Sequence, residues 1–195
     1  GGAGQPQDHG ELRMKRAILI FAAAMLAGCG SRPEPLPVYG QVPEFELTAE
    51  TGEPFSSRTL AGKPWVADFI FTSCSGPCPR MSYLMSQIQR SVPGARLVSF
   101  TVDPEGDTPP VLASYARRYR AEPGRWTFLT GDRDLLHKLS RDAFKLGNVD
   151  GSMEHSTRFV LVDGQGRIRG YYGTEEKSPL AEIQRDLERL ERDPS

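Results

Sequence analysis

An α/β domain, with a central mixed sheet flanked by helices, follows from three features of the sequence. From residue 44 onward, segments of strand character alternate with segments of helical periodicity, the pattern of parallel βαβ units. The run Trp65-Val66-Ala67-Asp68-Phe69-Ile70-Phe71 is almost wholly apolar and too short for a lone helix, so it reads as a strand buried on both faces. Near the C-terminus, Phe159-Val160-Leu161-Val162 and the stretch from Ile168 to Tyr172 flank Asp163-Gly164-Gln165-Gly166, a hairpin that adds antiparallel strands to the sheet.

The elements can be justified in order. Phe45-Glu46-Leu47-Thr48 alternates as a half-buried strand does, Thr51-Gly52-Glu53 turns the chain and Phe55 resumes apolar contact, giving an N-terminal hairpin extension before the strand at 65–71. Beyond that strand, Met81, Leu84, Met85 and Ile88 fall at i, i+3, i+4 and i+7, one apolar face of a helix; both methionines read as core fillers. Arg96 to Val102 is a second β-rich run, stopped by the turn cluster Asp103-Pro104-Glu105-Gly106-Asp107. Thr108-Pro109 opens a helix to about Tyr119, with Val111, Leu112, Tyr115 and Tyr119 inward. Trp126 to Thr130 is a short strand, and Asp132 caps a helix on which Leu135, Leu136, Leu139 and Phe144 recur, leaving His137 facing solvent beside Lys138. The last helix opens at Ser178-Pro179 and turns Leu180, Ile183, Leu187 and Leu190 inward.

Length and composition set bounds. With 195 residues, 38% hydrophobic and 25% charged, there is material for one domain with a sizeable core plus appended segments. A net charge of −1 supplies no basic field, which argues against nucleic acid as a partner. Residues 1–13, which include His9, read as an upstream tail, because Met14-Lys15-Arg16 is a natural start with its own positive region. Residues 14–28 read as a signal peptide whose apolar stretch is too short to span a bilayer comfortably. Its ending, Leu26-Ala27-Gly28-Cys29, resembles the bacterial lipoprotein box and implies lipidation of Cys29, a membrane anchor and a domain outside the cytoplasm. Residues 29–43 are Pro-rich and read as a semi-extended tether, and 44–195 as the folded domain.

The buried strand ends in a turn that carries two thiols, Cys74-Ser75-Gly76-Pro77-Cys78. Pro79 suits the first turn of a helix, so Cys78 sits at or near a helix N-terminus, where the partial positive charge predicts thiolate over thiol. Cysteines four apart at a helix start have Cα atoms about 6 Å apart, inside the roughly 4.4–6.8 Å range of disulfides. A structural disulfide is the plain alternative, although so short a loop removes little unfolded-state entropy. In sheets of this kind, sites lie outside the carboxyl ends of the strands, which groups the Cys74 turn, the Asp103 turn and the loop entering Phe159. Asp68, in mid-strand, would be costly to bury charged and calls for a raised pKa or a partner.

Three motifs together, Phe71-Thr72-Ser73-Cys74 through Cys78-Pro79, Thr101-Val102-Asp103-Pro104-Glu105-Gly106-Asp107-Thr108-Pro109, and Glu154-His155-Ser156 before an apolar strand, resemble the SCO/SenC family. Members are thioredoxin-fold copper proteins involved in assembling the binuclear copper centre of cytochrome c oxidase. The resemblance covers Val42 to Leu190 and implies a thioredoxin-like fold. It implies Cys74, Cys78 and His155 as copper ligands, Asp103 as a residue that supports the site or only shapes its loop, and a copper-binding oxidase subunit or another copper protein as partner. Two thiolates and one imidazole form a soft three-donor set that suits copper, whereas zinc would want a fourth ligand. Met153, close to His155, is not assigned as a ligand. Glu154 stands where the family commonly has aspartate, and Ser75-Gly76-Pro77 is nearer to a thioredoxin turn, which keeps thiol–disulfide exchange open as a second activity. By its six-residue offset from Cys74, Asp68 resembles the buried proton-handling aspartate of thioredoxins; pairing with a lysine such as Lys63 is the structural alternative.

Overall fold

The computed structural model describes residues 1–2, 34–146 and 157–192, so Cys29, Met153, Glu154 and His155 lie outside the described residues. Eight strands form one sheet: β1 (Gly40–Gln41), β2 (Glu46–Ala49), β3 (Pro54–Ser56), β4 (Trp65–Ile70), β5 (Arg96–Thr101), β6 (Trp126–Thr130), β7 (Arg158–Val162) and β8 (Arg167–Gly173). Their spatial order is β1-β8-β7-β4-β5-β6-β2-β3. Only β4–β5 and β5–β6 pair in parallel, and every other neighbour is antiparallel. The mixed sheet therefore has a parallel centre, with the C-terminal hairpin on one side and the N-terminal hairpin on the other.

Every residue of β4 is buried, as its apolar run requires of a central strand covered on both faces. Three helices, α1 (Cys78–Ser91), α2 (Pro109–Arg118) and α4 (Pro179–Arg192), cover one face and pack Met81, Met85, Leu112, Ile183 and Leu187 against Val66, Ile70 and Phe128. The short α3 (Arg133–Lys138), capped by Asp132 accepting from the Leu135 amide at 2.8 Å, serves the other face and widens into a π turn over Leu139–Ala143. That turn brings Leu139 and Phe144 onto Trp65 and Phe69. Among the described residues, no helix is long and apolar enough to cross a membrane.

Three expectations change. The Pro-rich segment is not a free tether as far as residue 43: the compact unit begins at Leu36, Gly40–Gln41 pairs with β8, and Val42 is buried. A strand of two residues has too little periodicity to show in the sequence. Val111, expected inward, is 39% exposed, because the inward positions of α2 are Leu112, Tyr115 and Ala116. His137 is half-buried, and its Nε2 has no hydrogen-bond partner among the described residues.

One buried ion cluster fastens the entering chain. Asp163 accepts from Arg169 Nη1 and Arg167 Nε, both at 2.7 Å, while Arg169, 4% exposed, also donates to the carbonyls of Leu36 and Pro37. Removing one partner of a buried pair leaves the other charge stranded. Arg169→Ala should therefore cost about 3 kcal/mol in chemical denaturation, with early hydrogen exchange over residues 36–41. A loss below about 1 kcal/mol would show that Arg167 alone satisfies Asp163.

Candidate metal centre

Strand β4 delivers the chain to the thiol turn, and α1 starts on its second cysteine. Pro77 occupies the N-cap position, with its carbonyl accepting from the Met81 amide at 3.0 Å, and Pro79 sits in the first turn where its missing N–H costs nothing. Both cysteines are free thiols: Cys74 is partly exposed and Cys78 fully buried, and the two lie close enough for Cys74 to bear on the Cys78 thiol. The Cys74 amide is tied to the Phe71 carbonyl at 3.2 Å.

The expected thiolate at Cys78 is not what the structure gives. Burial pushes its thiol up to about 12, reinforced by the hydrogen bond with Cys74 and the nearby charges of Cys74 and Asp68, and opposed by the Phe71 backbone. Desolvation outweighs the helix terminus because Cys78 packs with Met81, Met85 and Ile70 and meets no water. Cys78 keeps its proton until a metal or an oxidant takes its place.

Asp68 points to the face covered by α1, since it shares the parity of Val66 and Ile70, and its charge acts on Cys78. It is fully buried, and burial raises its carboxyl to about 7 against the opposing hydrogen bond from Ser99. Ser99 stands directly across on β5, donates to Asp68 Oδ1 at 2.6 Å and accepts from the Trp126 indole at 2.9 Å. Asp68 Oδ2 has no partner among the described residues. The lysine alternative fails, because Lys63 is exposed before the start of β4 and the polar neighbour is Ser99.

Asp103 shapes its own turn. Its Oδ1 accepts from the Gly106 amide at 3.3 Å and its carbonyl from the Asp107 amide at 2.8 Å, an approach that leaves no room for a Cβ at residue 106. The carboxylate that reaches the thiol turn belongs to Asp107, a residue the sequence reading passed over. It is 1% exposed and accepts from the Thr72 amide at 3.1 Å and from the hydroxyls of Thr72 and Thr101 at 2.5 Å each. Thr72 and Thr101, hydroxyls at the ends of two adjacent strands, with Asp107 in the turn that follows the second, were the available signal.

Among the described residues, no three His, Cys, Asp or Glu groups gather to hold a metal ion. The described part of the centre is thus the two-sulfur pair, and the expected third donor, His155, lies outside it. Two neighbouring free sulfurs, one open to solvent, fit a soft thiophilic ion such as copper(I) and equally fit reversible oxidation.

Comparison with known proteins bears on this pair. The profile of the SCO1/SenC family matches residues 37–191. A SCO1/SenC family lipoprotein from Bacillus anthracis superposes with a TM-score of 0.72 at 32% identity, over 83% of this chain and 99% of that one. BsSco, a member of the Sco family of cytochrome c oxidase assembly proteins in which a disulfide switch was identified, gives 0.73 at 29% identity, over 83% and 99%. ScoI of Bradyrhizobium japonicum, solved with copper bound, gives 0.62 at 25% identity, over 77% and 99%.

Two measurements test the carboxylates. Asp68 holds its proton more tightly when folded, at about 7 against 3.8, so the stability it supports is complete below pH 3.8 and is lost as pH rises through 7. Asp68→Asn should therefore gain on the native protein as pH rises from 4 to 7 and then level off, by a total on the order of 4 kcal/mol; a pH-independent difference would refute the raised carboxyl. Asp107→Ala strands the Thr72 amide and Thr101 hydroxyl and should cost about 2–3 kcal/mol, while Asn, which keeps one acceptor, should recover part of it.

Proposed function

The chain belongs to the SCO1/SenC family, and from that premise we propose that it is a copper chaperone that carries the metal on Cys74, Cys78 and His155 and delivers it to the copper centre of a cytochrome c oxidase subunit. The observation that carries this reading is the pair of neighbouring free thiols at the carboxyl end of β4, one partly exposed for capture and one buried for retention. The copper-bound ScoI relative and the oxidase-assembly family of BsSco support it.

Copper is the cargo, and this chain's residues bind it and release it. Copper(I) takes the two sulfurs as thiolates, so loading expels the Cys78 proton, and protonation of the sulfurs favours release. The imidazole of His155 completes the donor set and matters more for copper(II), which prefers nitrogen to a purely thiolate site. Asp103 keeps its turn in place, and Asp107 fixes the entry to Cys74 through Thr72. Lipidation of Cys29 would hold the domain at the outer face of the membrane, a reading that the Bacillus anthracis lipoprotein supports.

A second activity is favoured by Asp68. In thiol–disulfide exchange the two thiols give up two electrons and two protons to a partner disulfide, which leaves as a dithiol. A neutral-pH carboxylate beside Cys78 with one oxygen unpartnered among the described residues is placed to accept the Cys78 proton. The BsSco disulfide switch supports this reading.

Titrating the reduced protein with copper(I) and copper(II) separates these activities. Cys74→Ser or Cys78→Ser should abolish tight binding of both ions. His155→Ala should keep copper(I) but weaken copper(II) by more than the roughly 10- to 100-fold that loss of a residue merely supporting a ligand costs. Retention of copper by the cysteine variants would end the chaperone reading. Because Cys78 must lose a proton held to about 12, the apparent copper(I) affinity should rise about tenfold per pH unit between pH 6 and 9 on its account.

A further inference from the structure

After the thiol turn come two helices that carry arginines and no carboxylate of their own. Helices α1 and α2 run side by side, joined by the Ser82–Tyr115 hydrogen bond of 3.0 Å and by Gln89, which donates to the Arg120 carbonyl and accepts from the Glu122 amide. Neither helix contains an aspartate or a glutamate, yet they carry Arg80, Arg90, Arg117 and Arg118, and Arg120 follows. In a chain with 24 basic and 25 acidic residues, this is a marked segregation of charge. Arg80 reaches Glu175 at 3.8 Å, whereas Arg90, Arg117, Arg118 and Arg120 form no ion pair among the described residues.

A groove of about 330 Å³ runs along α2, lined by Thr72, Pro110, Val111, Ser114, Tyr115 and Arg118. One end, Thr72, is two residues from Cys74, and Tyr115 on its wall belongs to the same buried cluster as Cys78. At the other end the Arg118 guanidinium stands 6.0 Å from the centre of the Tyr115 ring. Val111 is 39% exposed at the groove, and Tyr83 on α1 is 56% exposed, two of the large apolar side chains left uncovered. The eight steps from Pro110 to Arg118 rise about 12 Å at 1.5 Å per residue, which an extended chain covers in roughly four residues.

We propose that this groove docks an extended, acidic segment of the protein that exchanges copper or electrons with Cys74, seating a carboxylate on Arg118 four or more residues from that partner's own cysteine. The proposal rests on the copper and thiol reading above and adds the chemistry of the partner. A protein segment is favoured over a lipid surface because the site is a cleft of about 330 Å³ whose Thr72 wall is two residues from the partly exposed Cys74, and a flat bilayer does not enter a cleft. Complementary charge of this kind sets encounter rate and choice of partner more than affinity.

The test follows the backbone amides of the reduced, copper-free, isotope-labelled protein by NMR. It is titrated with a reduced synthetic peptide bearing a glutamate four residues from its cysteine, and with a twin bearing lysine in the glutamate's place. The amides of Thr72, Val111, Ser114 and Arg118 should shift saturably, with the glutamate peptide binding about fivefold or more tighter and the preference shrinking in 0.5 M salt, as expected for exposed charges. Arg118→Glu should reverse the preference and leave copper(I) binding unchanged. Equal binding of the two peptides, or shifts confined to other surfaces, overturns the proposal. So does broadening of these amides by phosphatidylglycerol vesicles when neither peptide moves them, which would give the face to a membrane. Failure of the native protein to bind copper with the peptide preference intact would remove the chaperone reading and leave the docking groove standing.

Discussion

The site depends on one buried carboxylate that joins two loops. Asp107 lies in the turn after β5, yet two of its three donors belong to Thr72 at the end of β4. A carboxylate this deep is tolerated only when its oxygens are satisfied, and each hydrogen bond to a charged group contributes about 1.5–3 kcal/mol. Satisfying Asp107 therefore fixes the spacing of the two strand ends and the path of the chain into Cys74. The Asp-Pro-Glu-Gly-Asp turn is in this sense part of the thiol site, although Asp103 spends its bonds within its own turn.

The same end of the sheet holds a second buried aspartate under the opposite regime. Asp68 faces apolar side chains, has Ser99 as its donor and is held near neutrality, whereas Asp107 is surrounded by donors. Cys78, the first residue of the covering helix, is likewise kept protonated by burial. A Cys78 thiol that burial keeps protonated at rest favours release, because its sulfur is readily re-protonated when the metal departs. Retention then depends on how soft the cargo is, which favours copper(I) over harder ions.

Much of this was legible in the sequence, and the failures have physical causes. The apolar run at 65–71, the i, i+3, i+4, i+7 pattern of α1 and the 163–166 turn each correspond to elements in the structure, because long periodic segments and turn residues carry their own signal. Gly40–Gln41 was invisible because a two-residue strand is created by its partner β8. Cys78 was misjudged because the helix terminus can be read from sequence but the depth of burial cannot, and burial won. Asp107 was missed in favour of Asp103 because both are turn aspartates, and only tertiary contact with Thr72 tells them apart. A net charge of −1 likewise concealed that α1 and α2 are free of carboxylates.

The central claim is that the Cys74–Cys78 pair and a remote imidazole meet on one copper ion. X-ray absorption at the copper edge of the loaded protein tests it most directly. The account predicts two sulfur scatterers at about 2.2–2.3 Å and one imidazole nitrogen near 2.0 Å, distances typical of soft thiolate and histidine ligation, with the nitrogen shell absent in His155→Ala. A spectrum with sulfur alone in both proteins, or one unchanged by loss of the histidine, would contradict it and leave a dithiol exchanger in its place.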